Sequence, residues 1–436
     1  MTERRVPEPV ERPVVLTIAG SDSGGGAGIQ ADLKTIEATG GFGTSAVTAV
    51  TAQNTAGVES SHVLPVGEID AQLEAVRTDF DVRAVKTGML ATAEVVETVA
   101  STARDVDAPV VVDPVMVAAT GDRLLTETAE SAYEELIAEA ALVTPNADEA
   151  AVLTGIEPSG EANARRAGET LLEMGADAAL LKGGHVPGET VLDVLVTPEG
   201  IETAAHPRID TEATHGSGCT LSSAIATRLA RGEPMTTAVD RSVAFMQRAI
   251  RYHHDVGTGP GAVHHLVDLR NEAERASTIG TLEAAVDRLR EADLGSFVPA
   301  EGTNLAVATP YAEGIDDVAA VEGGLGLTTG GLEPNGPVRL GVSAEPARRL
   351  LDARKHRPGL CAALECRSDG EVAAAMGDLG WAVVGVDGEN DGAATDRLGD
   401  APVGGIVAIG HGETATVLAP DPDALVDGLF ELAEAL

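Results

Sequence analysis

Residues 214–220 read T-H-G-S-G-C-T, a cysteine at the end of a two-glycine turn and directly before a helix-forming run. Gly216, Ser217 and Gly218 can present successive backbone N–H groups, and the following helix adds the positive end of its dipole, so the segment reads as an anion hole. Cys219 at that helix start is expected to shed its proton readily and act as base or nucleophile; the alternative is a structural cysteine packed under the helix. Asn146 and Glu149 in T-P-N-A-D-E follow a strand end, where they either hold a hydrated Mg²⁺ or form an N-cap with its capping-box partner. Lys182 in L-L-K-G-G-H closes a strand before two glycines, a position for a cation on a nucleotide phosphate. Asp113 in V-V-V-D-P-V ends an apolar strand, where open α/β sheets place ligands. The stretch G-S-D-S-G-G-G-A-G-I-Q-A-D-L-K-T (20–35) runs from a strand through glycines into a helix beginning near Ala27. It matches neither the dinucleotide nor the P-loop pattern, but leaves room for a group to approach the backbone, with Asp32 on the first helical turns.

The elements that must position these residues are short Val-rich runs flanked by Gly and Pro: 14–19, 45–52, 84–89, 109–115, 141–145 and 178–184. Between several of them lie segments with apolar spacing near 3.6, such as 69–76 and 93–100, and two helices follow, one after Cys219 and one over 235–252. This is the layout of βα units on a largely parallel sheet, an α/β fold. Polar L-R-N-E-A-E-R-A-S (269–277) precedes a fresh amphipathic helix at 281–290 and new strand-like runs at 381–386 and 404–410. The spacing predicts two domains, 1–271 and 272–436, the second a smaller α/β domain.

Composition narrows the function classes. The 436 residues carry 30 basic and 69 acidic side chains, a net charge of −39, and only four of the basic residues are lysines. The acids are spread along the chain, which reads as a solvated acidic coat for a high-salt cytoplasm. No basic stripe exists to neutralise phosphates of a duplex, so nucleic acid is not an expected partner. No apolar run reaches a membrane span, and the first residues lack a secretory h-region. Three cysteines make no disulfide framework, and the Cys361/Cys366 pair lacks a matching Cys/His pair for zinc.

Seven strings in order, from A-G-S-D-S-G-G-G-A-G-I-Q-A-D-L-K-T through T-A-V-T-A-Q-N-T, K-T-G-M-L, V-D-P-V-M, T-P-N-A-D-E-A and L-L-K-G-G-H to T-H-G-S-G-C-T, closely resemble the hydroxymethylpyrimidine and phosphomethylpyrimidine kinases of thiamine biosynthesis, in the ribokinase superfamily. The resemblance implies a ribokinase-like three-layer α/β/α domain, ATP and Mg²⁺ as cofactors, and two successive phosphorylations, first of the hydroxymethyl oxygen and then of the monophosphate. It puts the pyrimidine against Gly20, Asp32, Gln53, Met89 and Val115, and ATP with Mg²⁺ against Asn146, Glu149 and Lys182; Asp113, at its strand end, and Glu149 are the expected metal ligands. Many ribokinase relatives carry an Asp base where this chain has Cys219; the pyrimidine kinases carry Cys. Cys219 is thereby the expected base, and Gly216, Ser217 and Gly218 the cradle of the transferring phosphoryl group. A homodimer is the expected assembly. The rival within the superfamily is a pyridoxal or sugar kinase.

The stretches 336–354, 362–369 and 379–387 resemble, more loosely, the archaeal-type thiamine phosphate synthase domain often fused behind this kinase, which joins pyrimidine diphosphate to thiazole phosphate. The resemblance puts Arg367 and His411 at the pyrophosphate leaving group. It departs from the family pattern at Val321-Glu322-Gly323-Gly324 and at Ser343-Ala344-Glu345, which leaves a thiamine phosphate sensor as the other reading.

Overall fold

The computed structural model describes residues 9–116, 131–291, 294, 297–328, 331–386, 407–411 and 414–436. The chain divides into two compact units, Met1–Asp268 and Leu269–Leu436. The first is built on a nine-stranded sheet of order β3-β2-β1-β4-β5-β6-β7-β8-β9. Its central strands β2 (Phe42–Asn54), β1 (Val14–Asp22), β4 (Val82–Thr87), β5 (Val110–Val112), β6 (Leu142–Val143) and β7 (Ala179–Leu181) are mutually parallel. Their near-continuous Val, Leu and Ala runs fit strands covered on both faces. Antiparallel β3 (Gly57–Val63), β8 (Thr190–Thr197) and β9 (Gly200–Pro207) close the edges.

Helices form the two outer layers. On one face α1 (Gly28–Ala38) and α7 (Ser217–Ala230) pack together and on β1, with α8 (Met235–Arg251) against α7. On the other, α2 (Val66–Asp79), α3 (Ala93–Asp105), α4 (Tyr133–Ile137), α5 (Ala147–Thr154) and α6 (Glu161–Glu173) cover the sheet over a core that includes Leu16, Ile18, Val85, Val112 and Leu171. The Val95, Val96, Val99 and Ala103 face of α3 is the buried side of the 3.6-residue pattern.

The second unit has a seven-stranded sheet of order β14-β11-β10-β15-β18-β17-β16, antiparallel except for the β16–β17 pair, and a separate β12–β13 hairpin. Its members are β10 (Leu305–Ala308), β11 (Val318–Val321), β12 (Leu325–Thr328), β13 (Gly331–Pro334), β14 (Val338–Leu340), β15 (Ala362–Arg367), β16 (Ala382–Val386), β17 (Val407–His411) and β18 (Thr414–Ala419). Helices α10 (Glu345–Arg354), α11 (Gly370–Asp378) and α12 (Pro422–Ala435) join the long α9 (Val267–Arg290). Residues 269–277, expected as a polar break before a new helix, instead lie inside α9. Their Glu, Arg and Ala residues are good helix formers with no Pro or Gly among them, so polarity alone does not end the helix. Residues 404–406 of the expected strand lie outside the described residues. Among the described residues no helix is long and apolar enough to cross a membrane.

Candidate active site

A cavity of about 1150 Å³ opens at the carboxyl ends of the parallel strands of the first unit. This is where an open α/β sheet leaves a crevice for ligands. The loops after β1, β4, β5, β6 and β7 and the first turn of α7 each deliver side chains to it.

The sequence of the α7 entry explains its geometry. Gly216 is the N-cap, with φ +83°, and a Cβ there would lie 1.8 Å from the Gly26 carbonyl oxygen, so both its conformation and its neighbour demand glycine. No side chain caps the helix. The N–H of Ser217 donates to Thr214 O at 3.0 Å, whereas those of Gly216, Gly218 and Cys219 have no acceptor among the described residues. The open donors at this terminus are therefore the N–H groups of Gly216, Gly218 and Cys219, while that of Ser217 is taken up by the turn.

Opposite these donors stand Asp113 and Lys182. Lys182 Nζ lies 2.9 Å from Asp113 Oδ1 and 3.8 Å from Glu149 Oε2, and a Cβ on Gly218 would sit 3.3 Å from Asp113 Oδ2 and 3.4 Å from Lys182 Nζ. Burial alone would push the Lys182 ammonium down, but the attraction of Asp113 and Glu149 holds it above the ordinary lysine range. Burial pushes the Glu149 carboxyl up to about 7, with Lys182 pulling it down and Asp113 pushing it further up. Asn146 and Glu149 form a reciprocal capping box at the start of α5, Asn146 N donating to Glu149 Oε2 at 2.8 Å and Glu149 N to Asn146 Oδ1 at 2.9 Å. Both still line the cavity.

Gly20, Gln53, Met89 and Val115 gather at the cavity wall as expected of a shared pocket, and a Cβ on Gly20 would come within 3.0 Å of Met89 Sδ. Asp32 does not. It is fully buried behind the wall, turned inward by α1, where it accepts hydrogen bonds from Thr17, Lys86 and Ser223. A carboxylate so saturated has no oxygen to offer the pyrimidine. Cys219 lies on the wall, but its thiol is pushed up to about 11, against the expectation of a lowered value. Burial is the largest cause; Asp32 and Asp113 add to it, and the Lys86 ammonium and a bond from Gly28 N–H oppose it. One helix terminus does not offset that desolvation.

Sequence reasoning missed three wall residues. Asp22 collects the N–H groups of Gly24, Gly26 and Ala27 on its carboxylate and pairs with His215 Nε2 at 3.2 Å, so the glycine-rich loop is occupied internally and is not a second anion site. Both residues lie inside the recognised strings, which was the available signal. Arg208 donates to the carbonyls of Gly184, Val186 and Gly188, clamping the loop after Lys182. Only the β8–β9 hairpin brings it there, and no local motif announces it.

In the second unit, Arg367 ends β15 and is half exposed, its Nη2 2.6 Å from Asp369 Oδ2. Arg367 pairs in register with Thr414 of β18, and Thr414 with His411 of β17, which puts the two expected residues in one cross-strand row. All three cysteines are free.

Residues 22–264 match the family profile described as phosphomethylpyrimidine kinase, and residues 281–426 that of thiamine-phosphate synthase ThiN. A hydroxymethylpyrimidine/phosphomethylpyrimidine kinase of Streptomyces coelicolor is 49% identical over 258 residues, 59% of this chain and 96% of that protein. Among solved structures, a phosphomethylpyrimidine kinase of Clostridium difficile is 41% identical with TM-score 0.50, covering 55% of this chain and 100% of that one. A Bacillus subtilis pyridoxal kinase in an ADP complex is 32% identical with TM-score 0.55, covering 59% and 99%. The fold is ribokinase-like, and the chain belongs to the phosphomethylpyrimidine kinase family, with a ThiN-type unit behind the kinase.

Proposed function

We propose that the first unit transfers the γ-phosphoryl group of ATP to the hydroxymethyl oxygen of 4-amino-5-hydroxymethyl-2-methylpyrimidine, and then to the phosphate of the product, giving the diphosphate. The observation that carries this reading is the convergence, on one cavity, of three open N–H groups at the α7 terminus, the Lys182 ammonium and the Cys219 thiol. The open donors and the helix dipole face the charge of the transferring group, and Lys182 is the cation for the nucleotide phosphates. Gly20, Gln53, Met89 and Val115 form the pyrimidine pocket, with Asp32 supporting it from behind. Cys219 accepts the proton of the attacking oxygen. The thiol is protonated at rest, so the base is the minor thiolate form, which must lose its proton to solvent before it can take that of the attacking oxygen.

Asp113 and Glu149 fit Mg²⁺. A buried carboxylate pushed up to about 7 is short of positive charge, and two carboxylates with nucleotide oxygens and water suit this ion. When bound, Mg²⁺ would neutralise charge on the transferring phosphates. The test is turnover of the pyrimidine alcohol with products resolved by mass. Cys219→Ala is expected to lose about 10²-fold or more in kcat with ATP binding retained; near wild-type turnover would return Cys219 to a packing role.

For the second unit, 272–436 in this reading, we propose condensation of the pyrimidine diphosphate with thiazole phosphate to thiamine phosphate, with Arg367 and His411 at the leaving pyrophosphate. The profile match and the shared strand row support it. A sensor of thiamine phosphate is the second reading, favoured by the Arg367–Asp369 pair, which already neutralises the guanidinium. Arg367→Ala in the full chain separates them: the synthase reading requires loss of thiamine phosphate formation. We propose further that the unit is of the archaeal type and that the chain works as a homodimer in a high-salt cytoplasm; the acid excess and scarcity of lysine support the high-salt part of that reading.

A further inference from the structure

Lys86 is a charged side chain with no exposed surface that none of the chemistry above employs. It stands on β4 beside Thr17 of β1. Its Nζ lies 2.8 Å from Asp32 Oδ1 and 3.0 Å from Asp32 Oδ2, and the same carboxylate accepts from Thr17 Oγ1 at 2.6 Å and Ser223 Oγ at 2.8 Å. Four hydrogen bonds saturate Asp32. Lys86 makes two, both to Asp32, and among the described residues the third N–H of its ammonium has no acceptor. A Cβ on Gly88 would meet Lys86 Nζ at 2.9 Å, so glycine at 88 leaves the ammonium its space.

The position of this pair relative to α7 is informative. Ser223, which anchors Asp32, follows Cys219 by four residues and so lies one turn along the same helix face. The buried pair therefore sits under the first turn of α7. The charged groups that act on the Cys219 thiol are Lys86 from β4, Asp32 from α1, Asp113 after β5 and Lys182 after β7, with Lys86 the leading influence favouring the thiolate. A buried ion pair that only stabilised the fold would be replaceable by apolar residues at little loss. A charge kept dry beside a thiol has a further use.

We propose that Lys86 is a positioning residue for phosphoryl transfer: clamped by Asp32 beneath the first turn of α7, it supplies the fixed positive charge against which the Cys219 thiolate forms. This rests on Cys219 being the base. The thiol first gives its proton to solvent through the open cavity. The thiolate then takes the proton of the acceptor hydroxyl as the oxygen bonds to the γ-phosphorus and the bond to the bridging oxygen breaks, releasing ADP.

Alkylation of Cys219 by iodoacetamide against pH, read by site-resolved mass spectrometry with Cys361 and Cys366 as internal references, tests it in the full chain. Lys86→Met is expected to raise the Cys219 midpoint by about one unit or more and to slow turnover at pH 8 about tenfold, with KM for ATP unchanged. Asp32→Asn, isosteric and keeping the lysine charge while removing the opposing one, is expected to lower the midpoint. Opposite signs mark an electrostatic role, since general loosening would move both variants the same way. Midpoints that stay at the wild-type value, or move together, overturn the proposal; if Lys86→Met does not fold, the direction in Asp32→Asn decides alone. Retained turnover in Cys219→Ala would instead remove the base itself, and with it the catalytic purpose of Lys86, even where the midpoints split.

Discussion

Glu149 and Cys219 are both held by burial in their uncharged forms, and both are assigned work that needs the charged form. For Cys219, with its thiol pushed up to about 11, the thiolate fraction grows tenfold per unit below that value. Log kcat/KM is therefore expected to climb with slope near one across the alkaline range up to pH 10, and a flat profile there would contradict the base assignment. For Glu149 the folded value of about 7 exceeds the ordinary 4.5. The stability it contributes is fully present below pH 4.5 and is lost as pH rises through 7, so at pH 8 the ionised carboxylate burdens the metal-free fold. Glu149→Gln should then raise the Tm at pH 8 without nucleotide and depress kinase turnover. A lowered Tm would mean the capping box outweighs the buried charge. His215 and Asp22 show what residue-level reading omits: they stand inside the recognised strings, yet their pairing across 193 residues is visible only once β1 and α7 are brought together.

At the scale of elements, the parallel sheet is legible because its strands are continuous Val and Ala runs separated by helical periodicity. The antiparallel edge strand β9 is less so, since residues 200–207 mix exposed polar and small residues with no clear alternation. The Lys86–Asp32 pair is illegible for a different reason. Its partners are 54 residues apart and meet through strand pairing and helix packing that no local pattern encodes. Glycines separate by the same logic. Gly183 would drive a Cβ to 2.2 Å from the Leu192 carbonyl oxygen, while Gly184, next in sequence, would meet nothing within 4 Å. Gly183→Ala is expected to cost on the order of 2 kcal/mol or more and to displace Lys182, whereas Gly184→Ala stays within about 0.5 kcal/mol. Thermal or chemical denaturation of the two variants checks this, and equal stabilities would refute the close approach.

For the whole molecule, the net charge of −39 opposes compactness unless screened. The Tm is expected to rise as salt increases from about 0.1 M, where the Debye length is roughly 10 Å, to molar concentration. A Tm independent of salt would remove the high-salt reading. In the proposed reading the two units catalyse consecutive steps, the product of the first being the substrate of the second. The most direct measurement is a time course in molar KCl with the full chain, ATP, Mg²⁺, the pyrimidine alcohol and thiazole phosphate, following each species by mass. The account predicts that pyrimidine monophosphate rises and falls, that diphosphate follows, and that thiamine phosphate appears last. Absence of any phosphorylated pyrimidine, with pyridoxal phosphorylated in a parallel reaction, would contradict it.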